Sequence, residues 1–163
     1  MGFLIAHRAN MAHLPQKNNV GFELAFAQQD NSHTQWDQSY KHPQRGFSLM
    51  FQDFGNKDVL GQGYSLFAHT SFPIIQKQGF GFLDFRLGTG FAYVTKRYDV
   101  DLNPKNNAIG SHLNGFVNLQ FNYNKHFKWW HLGAGIEFSH YSNAATKVPN
   151  LGLNVPSLNF NVG

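Results

Sequence analysis

Residues 117–123, VNLQFNY, alternate without exception between apolar and polar side chains. Successive side chains of a β-strand point to opposite faces of the sheet, so an alternation of period two predicts a strand with one apolar and one polar face. The next such stretch, residues 130–138, WHLGAGIEF, repeats the pattern, with His, Gly and Glu on its second face. These two stretches predict a protein built from β-strands.

The same alternation recurs along the chain, whereas helical periodicity is almost absent. Leu83 and Phe85 share one face of a longer stretch, and Asp84 and Arg86 share the other. Turn-forming residues separate about eight such stretches. Their predicted spans are 3–11, 19–28, 46–54, 62–73, 80–96, 114–124, 129–142 and 154–163. We find no repeat and no linker, so residues 1–163 are predicted to form a single domain.

The connection between the second and third predicted strands, residues 29–45, contains two large aromatic side chains, Trp36 and Tyr40. Aromatic residues are enriched in strands, but they also fill the interiors of barrels. The connection is therefore expected to hold either an extra strand or a plug.

Composition excludes a helical membrane protein. Of the 163 residues, 13% are charged and 16% are aromatic, and the mean hydropathy is −0.38. No run approaches the 18 or more apolar residues that a membrane-spanning helix needs. The strands of a transmembrane barrel alternate between lipid-facing and lumen-facing residues, so such a barrel is compatible with a mean hydropathy near or below zero.

Alternation alone does not say which face lies inside. Three features favour the apolar face outside, as in a membrane barrel. Trp129, Trp130 and Tyr123 lie at strand ends, where interfacial aromatic girdles belong. The polar faces carry Asn, Gln, His and Gly rather than the Lys and Glu that are typical of a solvated surface. Asp84 and Arg86 lie opposite an apolar face, as paired charges in a narrow lumen would.

We therefore predict an all-β fold, an eight-stranded antiparallel transmembrane β-barrel. Its outer face is expected to carry Val117, Leu119, Phe121, Ile136 and Phe138. Its lumen is expected to carry Asn118, Gln120, Asn122, Asp84 and Arg86. The alternative is a soluble lipocalin-like carrier of a hydrophobic ligand, which would place the same two faces the other way round.

Several other classes of site lack a signal. The chain has no cysteine, so it forms neither a disulfide framework nor a thiolate metal site. The net charge of +4 is spread along the chain and forms no basic cluster for nucleic acid. The nine histidines show no metal-ligand spacing and are expected in the lumen and loops. Neither a metal nor another cofactor is predicted.

Residues 1–8 have neither the charged region nor the cleavage site of a signal peptide. Either a signal peptide has been removed or the sequence has been trimmed. With a barrel fold, the expected location is the outer membrane of a Gram-negative cell, after removal of a signal peptide.

The strongest chemical signal lies in residues 136–144, IEFSHYSNA. His140 and Ser142 are two positions apart on a predicted strand, so their side chains share a face with Ile136 and Phe138. A serine needs a base within hydrogen-bond reach to act as a nucleophile at neutral pH, and a histidine supplies one. On this spacing alone, a strand that turns polar as it leaves the membrane fits equally well.

The longer pattern favours a catalytic pair over a strand that turns polar as it leaves the membrane. His140, Ser142, Asn143 and Ala144, followed by Pro149-Asn150 and Gly152, resemble the signature of the lipid A deacylase (PagL-like) family. The resemblance implies an eight-stranded outer-membrane barrel that removes an ester-linked acyl chain from lipid A of lipopolysaccharide in the outer leaflet. It implies no cofactor.

The resemblance also implies a role for each of these residues. Ser142 would be the nucleophile and His140 the general base. Asn143 and nearby backbone N–H groups, of Ala144 or Ala145, would stabilise the oxyanion. Asn150 would help to hold the loop.

The third member of the site departs from the family pattern. Familiar members place a glutamate fourteen residues after the histidine, and here that position is Asn154. An asparagine can still accept a hydrogen bond from the imidazole, but it cannot stabilise the imidazolium with a full charge. The departure leaves a second hypothesis open, namely a non-catalytic outer-membrane barrel with a structural or adhesive role. Activity on an ester separates the two hypotheses, and partition into detergent separates both from the lipocalin-like carrier.

Overall fold

The computed structural model describes residues 1–29, 34–77 and 81–163. These residues form seven strands in a single antiparallel sheet, in which each strand pairs with the next along the chain. The strands are β1 (Val20–Gln29), β2 (Gln44–Asp53), β3 (Gln62–Lys77), β4 (Gly81–Val94), β5 (Leu113–His126), β6 (His131–Ser142) and β7 (Leu153–Val162). A short helix, α1 (Gln35–Ser39), and a 3-10 turn at Ala9–Met11 complete the described elements. Neither has the length and apolar content of a membrane-spanning helix.

The predicted first strand, residues 3–11, is wrong, and the described sheet has seven strands rather than eight. Gly2 bridges Ser157 of β7 on one side and Asn19, next to β1, on the other. The N–H of Ile5 still donates to the carbonyl of Asn154 at 2.9 Å. Beyond this contact the chain leaves the sheet, because Met11 and Leu14, both fully buried, pack into one end of the fold.

The connection between β1 and β2 is neither the expected extra strand nor a plug in the residues described. Trp36 lies in α1 and is 42% exposed, with its ring 4.8 Å from that of Tyr40. The guanidinium of Arg45 stacks over the Trp36 ring and pairs with Asp37. Residues 30–33 of this connection, and residue 80 at the expected start of the fifth strand, lie outside the described residues.

The predicted orientation of the two faces is confirmed. Ile136 is 59% exposed and Phe121 is 45% exposed on the outer side of the sheet. The side chains expected inside are buried: Asn118, Gln120, Asn122, Asp84 and Arg86. This arrangement is the reverse of what a lipocalin-like carrier requires, so the structure does not support that alternative.

The sheet is curled, as contacts between side chains of distant strands across its interior show. Arg86 of β4 pairs with Glu23 of β1 at 2.7 Å, and the Tyr141 hydroxyl of β6 donates to the Gln52 side chain of β2 at 2.9 Å. Asn118 Nδ2 donates to the Glu137 carboxylate at 2.7 Å. A buried charge is tolerated only when it is paired and hydrogen-bonded, so these contacts hold the polar face inside.

One end of the interior is apolar, a feature that the alternation in the sequence does not predict. Phe54, Phe116 and Tyr141 pack there edge to face or tilted, with ring centroids about 5 Å apart. The connections 54–61 and 95–112 add Leu60 and Ile109, both fully buried. This buried cluster anchors the loops at the end of the sheet where β6 finishes and β7 begins.

Candidate active site

His140 and Ser142 lie at that end, on the outer face of β6. In the sheet register His140 is opposite Val117 of β5 and Asn154 of β7, and Ser142 is opposite Gly115. Both side chains are half-buried. Their parity on the strand therefore places them together on the outer surface, as expected from the sequence.

The imidazole of His140 is oriented by Asn154. Asn154 Oδ1 lies 2.6 Å from His140 Nδ1. Because an amide oxygen only accepts hydrogen bonds, this contact requires a proton on His140 Nδ1, and in the neutral ring Nε2 is then a bare acceptor. That tautomer is the one in which Nε2 can take a proton.

The Ser142 hydroxyl is held by the following loop. Asn150 Nδ2 donates to Ser142 Oγ at 3.0 Å, and the backbone N–H of Ala144 donates to the same oxygen at 3.3 Å. Within the described residues, no hydrogen bond joins Ser142 to His140. The two side chains are therefore neighbours on one face without a hydrogen bond between them. Catalytic hydrogen bonds are often long before substrate binds and tighten in the complex.

The two asparagines of the loop have different surroundings. Asn143 is buried, and its Nδ2 donates to Ser111 Oγ and to the Lys147 carbonyl, both at 2.8 Å. These bonds occupy both of its N–H groups. Asn150 instead contacts the Ser142 hydroxyl, and its Oδ1 also accepts the Asn143 backbone N–H at 3.1 Å. The structure thus brings Asn150, and not the Asn143 side chain, to the serine.

The backbone after Ser142 adopts an unusual conformation. Ala144 and Ala145 have φ angles of 54° and 60°, in the left-handed region that non-glycine residues rarely enter. Two such residues in succession turn the backbone N–H of Ala144 back to the serine oxygen. Strained backbone of this kind is found disproportionately at functional sites.

Gly115 leaves the outer side of Ser142 open. Among the described residues, a Cβ atom added to Gly115 would have one heavy atom within 4 Å, the Ser142 carbonyl oxygen at 3.3 Å. The next residue in this row, Phe91 of β4, is exposed. The glycine therefore makes a gap on the outer face through which another molecule can reach the serine. The sequence signal for it was a glycine at an outward position of a strand.

An apolar groove of about 590 Å³ runs along the outer face below His140. It lies over β5, β6 and β7, and Phe3 of the N-terminal segment forms part of its wall. Its apolar lining includes Leu119, Phe121, Ile136, Phe138, Pro156 and Leu158. Apolar lining with few polar atoms suits a hydrocarbon chain.

The Asp99 carboxylate stabilises the turn in which it lies, within the 95–112 connection. Asp99 Oδ1 accepts the backbone N–H groups of Asp101 at 3.1 Å and of Leu102 at 3.0 Å. These two donors hold the pKa of Asp99 below its ordinary value. Across residues 1–29, 34–77 and 81–163, no three potential metal ligands gather.

The chain matches a family model described as Lipid A 3-O-deacylase (PagL), and the match covers residues 17–163. Searches of curated proteins and of solved structures each found no match. The matched residues include the seven described strands and His140, Ser142, Asn143, Asn150 and Asn154.

Proposed function

The chain belongs to the lipid A 3-O-deacylase (PagL) family, and on that premise we propose that it is an outer-membrane esterase that removes the acyl chain at position 3 of lipid A. The observation that carries the proposal is the His140 ring, held by Asn154 at 2.6 Å beside Ser142 on the outer face. Lipopolysaccharide in the outer leaflet would meet this face directly.

In the proposed reaction His140 and Ser142 act as base and nucleophile. The Ser142 hydroxyl rotates from Asn150 to His140 Nε2, which takes its proton as Oγ attacks the ester carbonyl carbon. The tetrahedral intermediate collapses and expels the sugar oxygen, which receives the proton from His140. Water, deprotonated by the same nitrogen, then attacks the acyl-serine. The bond to Ser142 Oγ breaks, the fatty acid is released, and Oγ takes the proton back from His140.

The donors that contact Ser142 are the best candidates for the oxyanion site. The Ala144 N–H lies 3.3 Å from Ser142 Oγ, and Asn150 Nδ2 lies 3.0 Å from it. Donors aimed at the position of the developing oxygen stabilise the transition state more than the ester ground state. We assign the Asn143 side chain to loop support instead, since its N–H groups are already used.

The asparagine at position 154, where the family has a glutamate, leads to a testable prediction. Replacing Asn154 with Ala removes the acceptor for the His140 N–H, and we expect kcat to fall by about tenfold. Asn154→Glu should keep or raise kcat, because a carboxylate stabilises the imidazolium better than an amide does. Steady-state kinetics on a long-chain ester measure both variants. A wild-type kcat in Asn154→Ala would mean that His140 and Ser142 act as a dyad.

A second prediction concerns access to the serine. Gly115→Leu would fill the gap beside Ser142 on the outer face, and we expect kcat/KM for a long-chain ester to fall by about tenfold or more, since small displacements of substrate are costly. Thr89→Leu, which adds the same side chain at an exposed outward position of β4, is the control. If both variants retain wild-type activity, substrate does not approach over Gly115.

Membrane placement is supported by the outer face. Large apolar side chains remain exposed along every strand, from Phe22 and Phe47 to Leu158 and Phe160, and exposed apolar area of this extent marks a membrane or protein contact. Trp129 and Trp130 lie between β5 and β6, as expected for an interfacial girdle. We propose that the sheet crosses the outer membrane, and that residues 1–5, which bond to β7 and to Asn19 next to β1, take the place of an eighth strand.

The competing function is a non-catalytic outer-membrane barrel. It is favoured by the missing Ser142–His140 hydrogen bond in the described structure and by the asparagine at position 154. The decisive measurement is mass spectrometry of lipid A from cells with and without the protein. Loss of one acyl chain, together with release of the free fatty acid, is expected. Unchanged lipid A in cells whose outer membrane contains the folded protein would contradict the enzymatic proposal.

A further inference from the structure

Asn154 has a second histidine partner, which the sequence analysis did not identify. Its Oδ1 contacts His140, and its Nδ2 lies 3.1 Å from Nδ1 of His7. His7 is exposed and belongs to the N-terminal segment, 147 positions away in the chain. The asparagine side chain therefore links two imidazole rings, one at each of its ends.

The backbone holds the N-terminal segment in this position. The N–H of Ile5 donates to the Asn154 carbonyl at 2.9 Å, and the N–H of Phe3 donates to the Pro156 carbonyl at 3.2 Å. These bonds align the segment with β7 immediately before His7. The main chain thus supports the contact between His7 and Asn154 from the side that precedes His7.

The two ends of an amide are chemically different, so the orientation of Asn154 determines which nitrogen of His140 carries the proton. If the Asn154 amide turned over, its NH₂ group would face His140 Nδ1, which would then have to be the bare nitrogen. The His140 proton would move to Nε2, the nitrogen that must accept a proton from Ser142. A carboxylate has two acceptor oxygens and has no wrong orientation of this kind.

We propose that His7 is a positioning residue that keeps the Asn154 oxygen turned to His140. With a bare Nδ1, His7 accepts from Asn154 Nδ2, and this fixes the amide and, through it, the His140 tautomer. His7 lies outside residues 17–163, which the family model matches. The effect on catalysis rests on the proposed esterase function, whereas the effect on the tautomer does not.

A double-mutant cycle tests the catalytic effect. His7→Ala should lower kcat of the Asn154 enzyme by about five- to tenfold, the worth of one hydrogen bond, with KM changed by less than about twofold. In the isosteric Asn154→Asp background the same change should lower kcat by less than about twofold. His13→Ala is the matched control, because His13 is another exposed histidine of the same segment, and its one side-chain hydrogen bond within the described residues is to the Lys105 carbonyl. It should leave kcat unchanged.

Nitrogen-15 spectra of the detergent-solubilised protein test the tautomer directly. In the wild-type protein the His140 ring should carry its proton on Nδ1, and in His7→Ala a second population with the proton on Nε2 should appear. Equal losses of kcat in the two backgrounds, or a His140 ring unchanged in His7→Ala, would overturn the proposal. A wild-type protein without esterase activity would instead refute the proposed function, and the spectra would still decide on the relay.

Discussion

Ser142→Ala is expected to lower ester hydrolysis by about a thousandfold or more, because removing the nucleophile of a Ser-His pair eliminates the acyl-enzyme route. The side chain is half-buried at the rim of the sheet and outside the buried cluster, so the substitution should cost little stability. His140→Ala should lower the rate by a similar factor, since Ser142 would lose its base. Residues that act as a unit are not additive, so the double variant should be no slower than either single one.

Release of fatty acid from purified lipopolysaccharide measures these rates. Circular dichroism and the heat-dependent migration of the protein in gels show whether each variant is folded. Folded Ser142→Ala protein with wild-type activity would exclude Ser142 as the nucleophile. Wild-type activity in His140→Ala alone would direct the search to another base.

Arg86→Met is expected to have the largest effect on stability, with a loss of about 3–5 kcal/mol in the free energy of unfolding. The Arg86 side chain is 9% exposed and pairs with Glu23 at 2.7 Å. It also donates to Asn118 Oδ1 at 3.2 Å, and Asn118 in turn donates to Glu137. Without the guanidinium, the carboxylates of Glu23 and Glu137 remain inside the sheet with no cation between them.

Urea unfolding of the protein in lipid vesicles measures this loss. Lys57→Met is the control, because Lys57 is 76% exposed and lies 3.9 Å from Asp53. Exposed pairs of this kind contribute about 1 kcal/mol or less. Adding Glu23→Gln to Arg86→Met should recover part of the stability. A loss below about 1 kcal/mol for Arg86→Met would show that solvent in the interior replaces the ion pair.

Much of the candidate site could be predicted from the sequence, because its main pair is local. His140 and Ser142 are two residues apart, so strand geometry alone places them on one face. Asn154 was predicted through the family resemblance, and β6–β7 pairing brings it opposite His140. The roles of Asn143 and Asn150 could not be separated in this way, since the folding of the loop decides which amide contacts Ser142.

The sequence by itself determined the alternation of faces and the position of the His-Ser pair, because both follow from the period of two in an extended chain. The apolar exterior was predicted from the residue types on the two faces. Only the tertiary structure decided that the chain leaves the sheet after Ile5 to bury Met11 and Leu14, and that His7 meets Asn154. These features join segments distant in the chain. Such contacts depend on how the sheet curls and on competition for burial, and neither leaves a periodic pattern in the residues themselves.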